Sequence, residues 1–504
     1  MTKITLYDGK DTIGGNKIYL EEGGKGIFLD FGLNFKKHNN YFQEFLKPRS
    51  NRGVYDLITL DLLPKLNIYR KELIPADLSL SGYPSLDIEA VLLSHAHMDH
   101  YGSIGYLRED IPIIASPLTI AFLRGFLDIS KSSLSKEVAY FSKKTFTDES
   151  KLVIKSARKD VSRNFVCIED PSENLCDFFT RSLKSRTPFI ENEIYELNDL
   201  DCQFDITAFN VDHSIYGATA YLIEGEQIIA YTGDFRMHGK KGNMSKQFIQ
   251  NAKDSSVLII EGTRAGREDT SESEENVYEN CLQVAESTSG LLIADFSGRN
   301  FERLELFHKI ARKTNRQIII GSKEAYLLNG LEKADGINRL TNKLVFDEFR
   351  SRKRKWEDDY LIKERDIEYV NPDTVSQHLG DYLICFSFYD IKNLLDINPQ
   401  GGSYIYSSSE AFEEESEFDF IRLNNWLNHF EINTYGFEIL AEAGRLKPVF
   451  QKGFHASGHA AKSDLRWAIE TIDPDYIIPV HTENPEWFVK NFENVKVGNK
   501  SYTV

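Results

Sequence analysis

IEAVLLSHAHMDHYGS, residues 88–103, ends an apolar run with three histidines and an aspartate inside six positions: His95, His97, Asp99 and His100. A regular strand sends alternate side chains to opposite faces, so these four cannot converge from AVLLS itself, but they can from a loop at its end. Histidine and carboxylate are ligands for zinc and similar borderline metals. A single histidine is more often a structural residue than a ligand. Four ligand types in one short loop reverse that balance against a merely solvated turn.

One loop does not complete two coordination spheres, so further ligands are expected at other strand ends. His213 in NVDHSIYG follows FDITAF, Asp234 in YTGDFRMHG follows IIAY, and His481 ends YIIPVH. Taken singly, Asp234 reads equally as a turn residue after Gly233, and His481 as a strand cap. Together with HAHMDH they predict a metal cluster at one edge of a sandwich.

The chain has 504 residues, 41% hydrophobic and 27% charged, as expected of a globular protein of more than one domain. No apolar run approaches the ~20 residues of a bilayer span, and MTKITLYDGKD lacks the apolar core of a secretory signal. Five scattered cysteines without a CxxC predict a reducing, cytoplasmic setting and no cysteine-based zinc site. The net charge of −17 argues against non-specific adhesion to nucleic acid, which runs on clustered Lys and Arg, though it leaves room for a local basic groove.

The first 120 residues read as short strands, among them KIYL, GIFLDF and EAVLLS. Residues from about 122 to 200 read as a charged, partly helical insertion ending in RSLKSRTPFIENE. Strands return with FDITAF, then ATAYLI and IIAYTGDF as a hairpin through EGEQ, then VLIIEG. LLIADF, the amphipathic RNFERLELFHKIARKT and RQIIIGS form a βαβ unit and so a parallel sheet, which DYLICFS and GSYIYSS extend. EEESEFD reads as solvated surface. RSRKRKW (350–356) is the one dense basic run, attractive as an RNA-tracking patch and equally readable as a solvated helix face. KKGNMSK (240–246) lies nearer the expected metals.

HAHMDH followed in order by a histidine, an aspartate and a histidine resembles the HxHxDH signature of the metallo-β-lactamase fold. FHASGHAAKSDL (454–465) and IIPVHTENPEW (477–487) narrow the resemblance to the β-CASP nucleases, and within them to the ribonuclease J group. It covers nearly the whole chain. It implies an α/β architecture: an αββα sandwich over 1–275, with the insertion at about 122–200, a β-CASP domain over 276–437, and the end of the sandwich over 438–504 with motifs B and C. The resemblance further implies that His95, His97 and His213 hold one metal, Asp99, His100 and His481 a second, and that Asp234 bridges them. Asp30 in FLDFG would buttress the ligand loop from behind. Asp99, Glu261 and His459 would be the catalytic residues, Glu261 in motif A and His459 in motif B, and His481 in motif C tilts the substrate toward RNA. Zinc is the expected metal, with manganese the alternative that the same ligands accept.

Two cations ~3.5–4 Å apart generate hydroxide at neutral pH. A histidine held cationic by a carboxylate can protonate the leaving ribose oxygen, a task that His459 with Glu261 fits. For phosphate grip, HASGH offers His455, Ser457 and Gly458 beside a helix start, and FSGRNFER offers Ser297 and Arg299. The expected activity is hydrolysis of single-stranded, 5′-monophosphorylated RNA, from the 5′ end, internally, or both. Single-stranded DNA or a small phosphodiester is the alternative substrate, and a catalytically silent scaffold in an RNA-processing or defence assembly the alternative class. Two departures from the family stand out. The stretch before His213 is longer than usual, and FSFYDIKNLLD (386–396) replaces a TGSQGE-like segment. The insertion is a candidate surface for a protein partner. The extra C-terminal domain of many bacterial members is expected to be lacking, which leaves a homodimer open, and no membrane partner is expected.

Overall fold

Apolar side chains occupy both faces of the strand Asp87–Leu92, which delivers the HAHMDH loop. Ala90 and Leu92 join a core shared with a second sheet, while Val91 and Leu93 join the core beneath the helices. A strand buried on both sides reads as a continuous hydrophobic run, as AVLL does. The computed structural model describes all residues except 44, 131–132, 182–188, 191–193, 268–271, 409–413 and 443–444.

Asp87–Leu92 lies in an eight-stranded sheet, between Lys25–Leu29 and Ile113–Ala115, and parallel to both. A five-stranded sheet runs Asp205–Asn210, Thr219–Glu224, Ile228–Tyr231, Val257–Glu261, Tyr476–Val480, its first three strands antiparallel and its last pairings parallel. Ile27, Leu29, Ala90 and Leu92 from the first sheet meet Tyr221, Ile223, Ile259 and Ile478 from the second. The helices Gly242–Asn251 and Lys462–Ile472 cover the outer face of the second sheet through Phe248, Ile249, Leu465 and Ile469. The result is the expected αββα sandwich. A separate seven-stranded sheet, all parallel, takes Leu291–Asp295, Gln317–Ile320, Lys343–Phe346, Tyr382–Cys385, Gly402–Tyr406 and Ile432–Tyr435, with Tyr369–Val370 at its edge.

The 122–200 segment is partly helical, as expected, with Glu173–Thr180 a helix inside it, and it also carries strands. The helix Pro117–Ile129 runs into it, but Tyr140–Phe146 and Ile154–Ser162 form an antiparallel pair. Lys143 and Lys144 sit on a strand that buries Phe141 and leaves its other positions partly wet. Phe165–Cys167 and Ile194–Glu196 extend the eight-stranded sheet itself, so part of the segment belongs to the sandwich. RSLKSRTPFIENE falls mostly outside the described residues. Part of the basic run RSRKRKW is neutralised: Trp356 is buried against Tyr326, Arg350 pairs with Glu357, and Lys353 pairs with Asp347, while Arg352, Arg354 and Lys355 stay exposed.

A buried ionic hub fastens the seven-stranded sheet's helices to the sandwich. The Arg236 guanidinium donates to Asp212 at 3.0 Å, Glu274 at 3.0 Å, Glu302 at 2.8 Å and the Ser457 carbonyl at 3.2 Å. Arg303 donates to Glu274 from the other side at 2.9 Å. Glu274 and Glu302 sit in the first turns of their helices, where the backbone dipole favours a negative charge. Arg236→Ala leaves these buried carboxylates under-compensated, so it should lower stability by about 3–5 kcal/mol. Denaturant unfolding with an unchanged midpoint would contradict that.

Candidate metal centre

Each candidate ligand leaves a strand end at the same edge of the sandwich. His481 follows Tyr476–Val480 directly, and Asp234 lies just past Ile228–Tyr231. Two of the strand-end residues adopt left-handed backbone, Asp30 at φ +57° and His481 at φ +51°. That conformation is unfavourable for non-glycine residues and persists where the surroundings enforce it. Gly32 allows the HAHMDH loop to close on the strand before it, since a Cβ there would come 1.6 Å from the Asp99 carbonyl oxygen.

The ligand atoms converge. His95 Nε2 and His213 Nε2 lie 3.0 and 3.2 Å from His97 Nδ1. Asp99 Oδ2 is 3.1 Å from His481 Nε2 and 3.8 Å from His100 Nε2. Asp234 Oδ2 stands between the two sets: 3.8 Å from His95, 3.9 Å from His213, 3.1 Å from His100 and 3.6 Å from His481. Nitrogens and oxygens bound at 2.0–2.2 Å to a tetrahedral zinc lie about 3.3 Å from one another, so these spacings suit a metal. His100 Nε2 and Asp234 Oδ1 are buried without a hydrogen-bond partner, as ligand atoms awaiting a cation would be. The His/Asp clusters are therefore compatible with metal binding.

The far nitrogens are tied down. His100 Nδ1 donates to Asp30 Oδ2 at 2.7 Å, and Asp30 also accepts from Ser94 N at 2.7 Å, Ser94 Oγ at 2.8 Å and the Tyr231 hydroxyl at 2.5 Å. His213 Nδ1 donates to the Gly458 carbonyl at 2.5 Å, and His481 Nδ1 meets Thr263 Oγ1 at 2.8 Å. Such bonds fix ring orientation and leave the other nitrogen for a metal. Asp30→Asn should weaken metal affinity about 10–100-fold while the chain stays folded. Chelator titration followed by metal analysis reads this directly, and wild-type affinity in the variant would contradict it.

Burial drives His95 and His97 well below the ordinary histidine range, helped by neighbouring ring charges, and takes His213 down to about 4. These three rings are neutral, the form that ligates. For His100 burial opposes the charge, but Asp234, Asp30 and Asp99 outweigh it and hold its pKa well above the usual range. Burial likewise opposes the charges of Asp99 and Asp234, yet the surrounding histidines keep both carboxyls low.

Glu261 and His459 stand beside Asp234. His459 Nδ1 is 3.3 Å from Glu261 Oε1 and 3.8 Å from Asp234 Oδ2. Glu261 also accepts from Thr263 N at 2.9 Å and Ala460 N at 3.3 Å, so it is buried rather than an exposed turn residue. Burial works against a charge on His459, but Glu261 and Asp234 lift its pKa to about 9.

The centre opens onto a cleft of about 930 Å³ lined by His97, Asp99, His455, Ser457, Gly458, His459 and Ser297. Ser457 and Gly458 spend their carbonyls on Arg236 and His213. Arg299 does not line this cleft and stands 4.3 Å over the Phe126 ring. Ser94, Tyr231, Thr263 and Arg236 are supporting residues that sequence reading does not single out. No periodicity or motif marks them, because each acts through one contact with a residue distant in sequence.

The description "Metallo-beta-lactamase superfamily" matches residues 61–260, and "Zn-dependent metallo-hydrolase RNA specificity domain" matches residues 450–497. The ribonuclease J of Pyrococcus abyssi is 22% identical over 498 residues, covering 96% of this chain and 90% of that protein. That of Mycoplasma pneumoniae is 22% identical over 496 residues, covering 96% and 68%. A crystal structure of an Enterococcus faecalis protein of unknown function aligns over 100% of both chains, with a TM-score of 0.68 at 21% identity, and supports the fold. Sandwich, ligand order and matched segments agree: residues 61–260 resemble the metallo-β-lactamase superfamily, residues 450–497 its RNA specificity domain, and the chain over nearly its whole length is similar to ribonuclease J.

Proposed function

We propose that this protein is a metal-dependent ribonuclease that hydrolyses RNA phosphodiesters in the His/Asp cleft, as a 5′-to-3′ exonuclease, an endonuclease, or both. The observation that carries the proposal is the convergence of the seven ligand side chains beneath the HASGH loop, within a chain whose relatives are named ribonuclease J. His95, His97 and His213 would hold one divalent cation and Asp99, His100 and His481 the other, with Asp234 between them. Zinc is the first candidate, and manganese suits the same ligands. When bound, such a pair supplies hydroxide at neutral pH and neutralises an approaching phosphodiester.

The chain's own residues do the rest. Glu261 holds His459 by Nδ1, which leaves Nε2 to donate a proton to the departing ribose oxygen. His455, Ser457, Gly458 and Ser297 line the cleft where phosphates of the strand would lie. Scattered free cysteines suit work in a reducing cytoplasm. Among the described residues no helix is long and apolar enough to cross a membrane.

The test is purified protein with Mn²⁺ or Zn²⁺ on end-labelled, 5′-monophosphorylated RNA, single-stranded DNA of the same sequence and bis(p-nitrophenyl) phosphate. RNA cleavage leaving 5′-phosphates is the expected result. Equal or better turnover of DNA would change the substrate assignment, and chains that bind no metal would point to a scaffold.

A further inference from the structure

A second cavity, of about 630 Å³, sits at the C-terminal ends of the parallel strands Leu291–Asp295, Gln317–Ile320, Tyr382–Cys385 and Gly402–Tyr406. Open α/β sheets bind ligands at that edge. The cavity is continuous with the metal cleft, because Ser297, Tyr406 and Ser408 line both. Two of its walls come from the segments where the sequence departs from the family. Phe126 and Ile129 come from the helix entering the 122–200 insertion, and Phe388, Tyr389 and Asp390 come from FSFYDIKNLLD.

Aromatic walls surround acceptor groups. The Glu324 carboxyl lies against the faces of Gly298 and Gly321, where added Cβ atoms would stand 3.1 and 2.3 Å from its oxygens. Among the described residues no side chain donates to it. Asp390 Oδ2 accepts from Ser387 Oγ at 2.6 Å and from Ser387 N at 3.1 Å, and no donor is spent on Oδ1 among the described residues. Burial, then the charge of Asp390, pushes the Glu324 carboxyl up to about 7.

The mouth is basic in a chain of net charge −17. Arg299 and Lys136 stand 4.3 and 5.3 Å over the Phe126 ring, and Lys323 lines the cavity. Burial lowers the Lys136 pKa, and the positive charges of Arg299, Lys323 and Lys47 lower it further. Among the described residues none of these cations sits in an ion pair.

We propose that this cavity is a guanine subsite for the RNA strand: Phe388 stacks on the base, Glu324 and Asp390 accept its N1–H and N2–H, and Arg299 and Lys136, set over Phe126, hold the adjoining phosphates with Lys323. This assignment rests on the ribonuclease reading above. Guanine is the base that presents two adjacent N–H donors on its pairing edge. Adenine and cytosine set a ring acceptor beside their amino group, and uracil flanks its N–H with two carbonyls, so the carboxylates in their ionised, acceptor-only form repel part of each edge. The insertion and the replaced segment thereby acquire a common task.

The experiment uses full-length Asp99→Ala protein with Zn²⁺ and fluorescent, 5′-phosphorylated oligouridylates carrying one guanine or one adenine at each position in turn, read by anisotropy. At one position guanine should bind about tenfold tighter than adenine. That ratio should fall to within twofold in Glu324→Gln and in Asp390→Asn. Wild-type cleavage rates on the same oligonucleotides supply a second measurement should Asp99→Ala unsettle the fold. RNA binding without a guanine preference, or a preference surviving both substitutions, would overturn the subsite and leave the nuclease reading standing. No binding of any RNA would overturn that reading and this one with it. Guanosine 5′-monophosphate competing as well as the strand would overturn the assignment to RNA.

Discussion

Replacing Asp99 and His100 together with alanine should lower kcat/KM for RNA by more than about 10³-fold, beyond the 10²–10³ that loss of one transition-state donor costs. Metal content should fall from two per chain to at most one. The reason is geometric. Asp99 Oδ2 and His100 Nε2 are two of the three terminal donors converging with His481, whereas the set His95, His97 and His213 stays complete. His100 is also the ring that Asp30 orients, so its loss removes the charge that the buried Asp30 carboxylate faces. Ser94 and Tyr231 continue to donate to Asp30 and should hold the strand end in place. Metal analysis beside a cleavage assay decides the matter. Two metals retained, or undiminished cleavage, would dissolve the two-cation assignment.

Most candidate ligands were legible because they follow apolar runs, and an apolar strand buried on both faces can present polar groups only where it ends. AVLLS before His95, IIAY before Asp234 and YIIPV before His481 all follow that rule. What escaped was everything that depends on partners far along the chain. RSRKRKW reads as basic, and nothing local reveals that Glu357 and Asp347 neutralise part of it or that Trp356 turns inward. Arg236 looks like any loop arginine until the fold brings Asp212, Glu274 and Glu302 around it. The strands within the insertion are hard to read for a related reason. Charge on the partly wet face of the strand Tyr140–Phe146 imitates helix composition, while the single buried Phe141 carries the strand signal.

His459→Ala should separate acid catalysis from metal binding. His459 stands near enough to Asp234, Glu261 and His481 for those four to be read as a third cation site. Its pKa of about 9 and its pairing with Glu261 favour a proton donor instead. The two roles predict different substrate dependences. A ribose oxygen leaves poorly without a proton, so loss of the acid should cut kcat on RNA by about 10²–10⁴. A p-nitrophenolate leaves as a stable anion and needs no proton, so turnover of bis(p-nitrophenyl) phosphate should fall by less than about tenfold for the same variant. Glu261→Gln keeps a hydrogen-bonding side chain but removes the charge that sustains the imidazolium, and should show the same selectivity in milder form. Were His459 a ligand instead, His459→Ala would shed metal and both substrates would slow together, because both need the hydroxide. An equal loss on the two substrates, accompanied by a lower metal content, would therefore reassign His459 to the metal and leave the leaving group's proton without a source in this chain.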